Sequence, residues 1–145
     1  MALPEKIHLE IVTPDKQVYS GNVESILVPA QTGYMGILPG HAPLLAELGI
    51  GDIEFTADGV TECVACSWGF IEVLPDRVVL LAQEAELSSD IDLKRAEEAK
   101  ARAEKLLASG DPDVDYAATE LAVLRAMSRI NAAKSATARQ TMRKS

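Results

Sequence analysis

The chain opens with Ile7, Leu9 and Ile11 alternating with His8, Glu10 and Val12. A period of two predicts a strand with one face buried. Shorter runs rich in β-branched residues follow at 23–28, 53–55, 60–64, 70–74 and 78–81, split by Gly, Pro, Asp or Asn. They predict further strands. Asp58-Gly59 predicts a hairpin turn, and Pro75-Asp76 a second turn. Strands this short and this closely spaced suggest a small antiparallel sandwich or barrel. Residues 33–45 read Gly-Tyr-Met-Gly-Ile-Leu-Pro-Gly-His-Ala-Pro-Leu-Leu. Three glycines and two prolines among bulky apolar residues predict a shaped corner between strands and not a regular element.

The period changes near Ser88. Residues 91–108 hold no Gly or Pro and abundant Ala, Glu, Lys, Arg and Leu, which predicts a helix. Ser89 with Asp92 three residues on fits a capping box, with Asp90 as a competing cap. Ser109-Gly110-Asp111-Pro112 stops this helix and turns the chain. A second helix is predicted from residue 114 to about residue 137, with apolar Ala117, Leu121, Val123, Leu124, Met127 and Ile130. The result is a helical hairpin. The first helix offers mainly Ala96, Ala99, Ala103, Leu106 and Leu107 for burial. Alanine gains little on burial, so the hairpin is expected to be held by modest energy and able to open for a partner or ligand. The plainer alternative is a static alanine-rich hairpin.

Composition bounds the rest. At 145 residues, one or two small domains are expected. The hydrophobic fraction is 48% but aromatics are only 4%, so aliphatic side chains must do the packing. The net charge of −8 argues against nonspecific nucleic-acid binding. It is unevenly spread: residues 1–120 carry −14 and residues 121–145 carry +6. A basic tail on an acidic body points to an acidic partner or to attraction within the protein. No run of about 18 apolar residues marks a membrane span. The N-terminus lacks a signal peptide's basic and apolar regions, so a reducing cytosolic setting is expected, and a peripheral place at a membrane complex is compatible with it.

Cys63-Val64-Ala65-Cys66 has the spacing of a redox or metal motif. In a predicted strand, residues three apart point to opposite faces and their sulfurs diverge. Buried free cysteines are the expected outcome.

The corner at 33–45, followed by Ile91-Asp92-Leu93-Lys94-Arg95-Ala96 at the start of a helical hairpin, resembles the epsilon subunit of the bacterial F-type ATP synthase. Tyr19-Ser20-Gly21, Gly69-Phe70-Ile71-Glu72-Val73 before Pro75, and Asp113-Val114-Asp115-Tyr116 support the likeness, which runs from about Ile7 to about Ile130. It implies an N-terminal antiparallel β-sandwich over residues 1–87 and a C-terminal α-helical hairpin over residues 88–145. The sandwich would contact the gamma subunit and the c-ring of the central stalk and help couple rotation to synthesis. The hairpin would be regulatory, permitting ATP hydrolysis when folded down and blocking it when extended towards the alpha/beta catalytic head. The subunit would be non-catalytic, peripheral on the cytoplasmic face of a bacterial cell membrane, and part of a proton-translocating complex.

The resemblance also assigns residues. Tyr34, Met35 and His41 would lie towards the rotor ring and gamma, although His41 could equally cap a turn. No obvious nucleophile and orienting acid accompany His41, so catalysis is not expected of it. Some bacterial members bind one ATP in the folded hairpin. The matching positions are Glu86, Ile91, Asp92, Arg95, Ala96, Arg102, Arg125 and Arg129. Arg95 and Arg102 share a helix face, as do Arg125 and Arg129, so their guanidinium forks could converge on phosphates. The alternative pairs these arginines with Glu97, Glu98, Glu104 and Glu120 or leaves them solvated. Magnesium could accompany ATP, but no Walker A segment or carboxylate cluster is present, and neither a protein metal site nor a required cofactor is expected. In the extended hairpin, Arg125, Arg129, Lys134 and Arg139, with Arg143 and Lys144 beyond, would meet acidic segments of the beta subunits. Trp68 stands where the family has a small residue, and the tail past Asn131 outruns the recognisable motif. Two other classes compete: a stand-alone ATP-sensing protein outside any rotary motor, and a thiol oxidoreductase using Cys63 and Cys66.

Overall fold

The computed structural model describes residues 4–144, with side chains as far as Ser135. Seven strands come first: β1 (Ile7–Val12), β2 (Gln17–Val23), β3 (Ser25–Ala30), β4 (Gly33–Ile37), β5 (Leu44–Ala57), β6 (Val60–Val73) and β7 (Arg77–Leu87). A 3-10 turn at Ser88–Asp90 leads to helices α1 (Leu93–Ala108) and α2 (Tyr116–Lys144). The β-sandwich followed by a helical hairpin is the expected fold class.

The strands form one ladder in the order β2-β1-β7-β6-β5-β3-β4, antiparallel except where β1 runs parallel to β7. The ladder curls on itself. Tyr19 of β2 and Phe55 of β5 stand four steps apart in that order, yet their rings lie 4.3 Å apart. Ile7, Leu9 and Ile11 fill one wall of the resulting core, as their alternation predicts. Side chains from all seven strands complete it, and no described helical residue takes part. The sandwich therefore has its own core.

The strands depart from expectation in length. The runs at 53–55 and 60–64 are parts of two strands of 14 residues each, joined by the Asp58-Gly59 turn with φ values of 52° and 77°. Glycines inside them mark close approaches and not ends. A Cβ on Gly51 would meet Pro29 and the Tyr34 hydroxyl, both at 2.8 Å. Gly69 has φ 155°, and a Cβ there would overlap the Leu81 carbonyl oxygen. Trp68 beside it has φ 45°, so the two residues kink β6. The expected irregular corner is also partly regular: Gly33–Ile37 is strand β4, paired to β3 from Ala30↔Gly33 to Ile26↔Ile37. Irregular chain begins only at Leu38.

The helix cap differs too. Asp92, and neither Ser89 nor Asp90, caps α1, its carboxylate accepting from the Arg95 N–H at 3.1 Å. Ser88–Asp90 is a 3-10 turn, which leaves Asp92 as the last extended residue. The predicted stop holds: Ser109 donates to the Leu106 carbonyl at 2.7 Å, and Gly110 has φ 69°. Asp115 caps α2, accepting from the Ala118 N–H at 3.1 Å. That helix starts two residues later than expected and runs seven residues further. Among the residues predicted to pack the hairpin, Leu106, Leu124 and Met127 are exposed, while Ala96, Ala103 and Ile130 are buried.

Candidate functional site

Helix α2 rests on β5 and β6, and α1 packs on α2. Arg125, Ser128, Arg129 and Ala132 recur at helical spacing and form the stripe that meets the sandwich. Three of those four positions are polar. Ala132 is fully buried against Cys63 and Ala65 of β6, with Ile91 alongside. Ser128 donates from Oγ to Asp52 Oδ1 at 2.8 Å. Arg129 places Nε and an Nη each 3.0 Å from Glu86 Oε2, a half-exposed ion pair. Among the described residues, the hairpin is thus seated through one small apolar cluster and two polar links, and not through a broad hydrophobic seam.

Burial pushes the Asp52 carboxyl above the ordinary carboxylate range; the Ser128 hydroxyl opposes the shift, and Glu54 adds to it. Sequence reasoning missed both Asp52 and Ser128. They are 76 residues apart and belong to no motif, so only the fold brings them together.

A cleft of 580 Å³ opens beside these contacts, between α2 and strands β6 and β7. Its volume falls within the range of small-molecule sites. Lys16, Arg125 and Arg129 line it together with Asp15, Glu84, Glu86 and Asp90, so its charge is mixed. Of the eight residues expected to hold ATP, Glu86, Arg125 and Arg129 line this cleft. Arg129 already pairs with Glu86, not with any of the four glutamates proposed as its alternatives. Arg95 and Arg102 are exposed on α1 and do not line it. Asp92 caps α1, Ile91 packs beside Cys63, and Ala96 is buried in the hairpin. Among the described residues, no group of three or more His, Cys, Asp or Glu is placed to hold a metal.

The residues expected to face the rotor, Tyr34, Met35 and His41, lie on β4 and the irregular segment that follows it. Tyr34 is 59% exposed, and its hydroxyl accepts from the Asp52 N–H at 3.3 Å. Met35 packs partly against the sandwich core. His41 Nδ1 lies 2.7 Å from the Ala42 carbonyl oxygen, the turn contact allowed for it. Lys134 is exposed on α2, and the Arg139 side chain lies outside the described residues.

Cys63 and Cys66 behave as their spacing predicts. Cys63 faces the helices and Cys66 the sandwich core, both buried and neither in a disulfide. Burial pushes the Cys66 thiol up to about 12, far from the lowered value of a redox thiol. Among the described residues, no helix is long and apolar enough to cross a membrane.

Comparison with known proteins agrees with this architecture. Residues 6–88 match the family model of the ATP synthase delta/epsilon chain β-sandwich domain, and residues 89–134 match that of its long α-helix domain. An ATP synthase epsilon chain of Koribacter versatilis is 50% identical over 77% of this chain and 78% of its own length. That of Bacillus licheniformis is 48% identical over 88% of this chain and 98% of its own. Among solved structures, a chain of the Euglena gracilis mitochondrial ATP synthase (OSCP/F1/c-ring) superposes with a TM-score of 0.75 at 25% identity, covering 86% of this chain and 79% of its own. With both halves matched in order and full-length relatives near half identity, the chain belongs to the ATP synthase delta/epsilon family, as an epsilon chain.

Proposed function

We propose that the protein is the central-stalk epsilon subunit of a proton-translocating F-type ATP synthase, restraining ATP hydrolysis through a hairpin that leaves the sandwich. It is a non-catalytic subunit, and the catalytic sites lie on other chains. The sandwich binds gamma and the c-ring, with Tyr34, Met35 and His41 towards the rotor. The freed hairpin reaches the alpha/beta head, where Arg125, Arg129, Lys134 and Arg139 meet acidic beta segments. The complex sits on the cytoplasmic face of a bacterial membrane, a placement supported by the bacterial relatives. These epsilon-chain names argue against an ATP sensor outside a rotary motor.

The observation that carries the regulatory reading is the seat of α2: among the described residues it rests chiefly on Ala132, Ser128 and Arg129, over a sandwich whose core is complete without it. Such a seat can be left without unfolding the sandwich. ATP belongs to the same reading. Glu86, Arg125 and Arg129 share a cleft of suitable size, and a phosphate arriving with or without magnesium would draw Arg129 from Glu86. Arg95 and Arg102 would then have to turn inward from α1.

The test is an ATP synthase reconstituted in vesicles with the whole chain or with a version ending at Ser88. The short version should still co-purify with gamma while hydrolysis rises several-fold. Equal hydrolysis in the two preparations refutes the regulatory role. Failure of the whole chain to co-purify refutes the stalk role.

A further inference from the structure

Under α2 lies a carboxylate that its seat does not need for shape. Asp52 is half-buried, on the middle of β5, opposite Ala65 of β6 in the ladder. Its backbone N–H is held by Tyr34 and its Oδ1 by Ser128. We propose that Asp52 is the release point of the hairpin, an acidic group that α2 covers on docking and that returns to water when the helix lifts. The inference rests on the movable-hairpin reading above.

Among the described residues, no cation is a cause of its shift. Along β5 the nearest ionisable neighbour is Glu54, of like charge. From β6 comes Cys63, whose thiol lies 3.8 Å from Glu54. From β4 comes the Tyr34 hydroxyl, spent on the backbone. On α2, Arg125 and Arg129 flank Ser128 in sequence, and Arg129 is held by Glu86 of β7. Ser128, a neutral donor, is left to solvate the Asp52 side chain. Consistently, the carboxyl is pushed above its ordinary range, with burial as the leading cause.

The sign follows from linkage. A carboxyl whose pKa is higher docked than undocked takes up a proton on docking. Docking is then favoured below the undocked pKa and loses that advantage as pH rises through the docked one. Above both values the ionised form carries the full desolvation penalty, so the seat is weakest at neutral pH. Asp52→Asn keeps the shape and can still accept from Ser128, but it has no charge to desolvate.

Cys63 supplies the readout, because Ala132 covers it, whereas Cys66 is enclosed by the sandwich. The whole chain is treated with an uncharged aromatic disulfide reagent, and each thiol is followed by peptide mass spectrometry. Cys63 in the parent should react while Cys66 stays protected. Asp52→Asn should slow Cys63 several-fold at neutral pH, and the ratio of the two rates should approach one as pH falls. Taking a ratio cancels the ionisation of the thiol itself. Ser128→Ala should accelerate Cys63, opposite to Asp52→Asn, whereas general loss of stability would accelerate both. Equal rates in the parent and Asp52→Asn, or a ratio independent of pH, overturn the role of Asp52 while leaving a mobile hairpin. Reaction of Cys63 only together with Cys66, in every variant, overturns the mobile hairpin and this inference with it.

Discussion

Ala132→Glu should lift the hairpin and leave the sandwich folded. Ala132 has no exposed surface and lies on Cys63 and Ala65. A glutamate placed there must either stay ionised in an apolar setting or take a proton. Protonation at neutral pH from an ordinary glutamate pKa costs about 3.7 kcal/mol, which caps the charge penalty. The added side-chain bulk costs about 1–3 kcal/mol more. Against this stand the forces that seat α2. The small side chains of Ala132, Ala65 and Cys63 contribute about 2–3 kcal/mol at roughly 0.8 kcal/mol per buried carbon. The Ser128 hydrogen bond to a carboxylate adds about 1.5–3 kcal/mol. The Arg129–Glu86 pair, with side chains 39% and 33% exposed, adds at most about 1 kcal/mol. The perturbation is thus comparable to the seat, enough to shift the balance strongly towards the lifted hairpin. In the thiol assay Cys63 should become fully reactive while Cys66 remains protected, and the cooperative unfolding of the sheet in urea should keep its midpoint. Continued protection of Cys63 would refute the weak seat. Exposure of both thiols together would refute the independence of the sandwich.

Two more expectations concern charge. Calorimetric titration with ATP should release heat from the parent chain and none from Arg125→Ala combined with Arg129→Ala; no heat from the parent at millimolar nucleotide would remove ATP from the account while leaving the stalk role. Burial holds the Cys66 thiol at about 12 when folded against an ordinary 9.0, so its contribution to stability is complete below pH 9 and is lost as pH rises towards 12. Urea midpoints over that interval should fall less steeply in Cys66→Ala than in the parent, and parallel slopes would contradict the assignment.

The parts of the fold legible in the sequence are those where one side chain has one job. β1 alternates because only one of its faces is buried, and Asp58-Gly59 turns because both positions need positive φ. The strands that escape notice, β2 and β4, are the two ends of the ladder. They bury little and carry polar residues or glycine where central strands carry Val and Ile. The glycines of β5 and β6 mislead in the other direction, because a missing side chain signals a turn and a close approach alike. The candidate site divides the same way. Glu86 and Arg129 are visible through a family motif, but as separate nucleotide contacts, and only the packing makes them each other's partner. Asp52 and Ser128 carry no local signal, since a serine within a helix and an aspartate within a strand are individually unremarkable.

Helix α2 spans 29 residues as one uninterrupted element. At about 1.5 Å per residue it is a rod about 44 Å long. The contacts with the sandwich described above lie about its midpoint, and the turn at Ser109–Gly110 lies near its base. Rotation about that base by only about ten degrees sweeps the far end through an arc of about 7–8 Å, wider than a whole helical turn. Length alone therefore gives mechanical advantage: the smallest slip at the fulcrum is magnified at the tip, where the positive charge is concentrated.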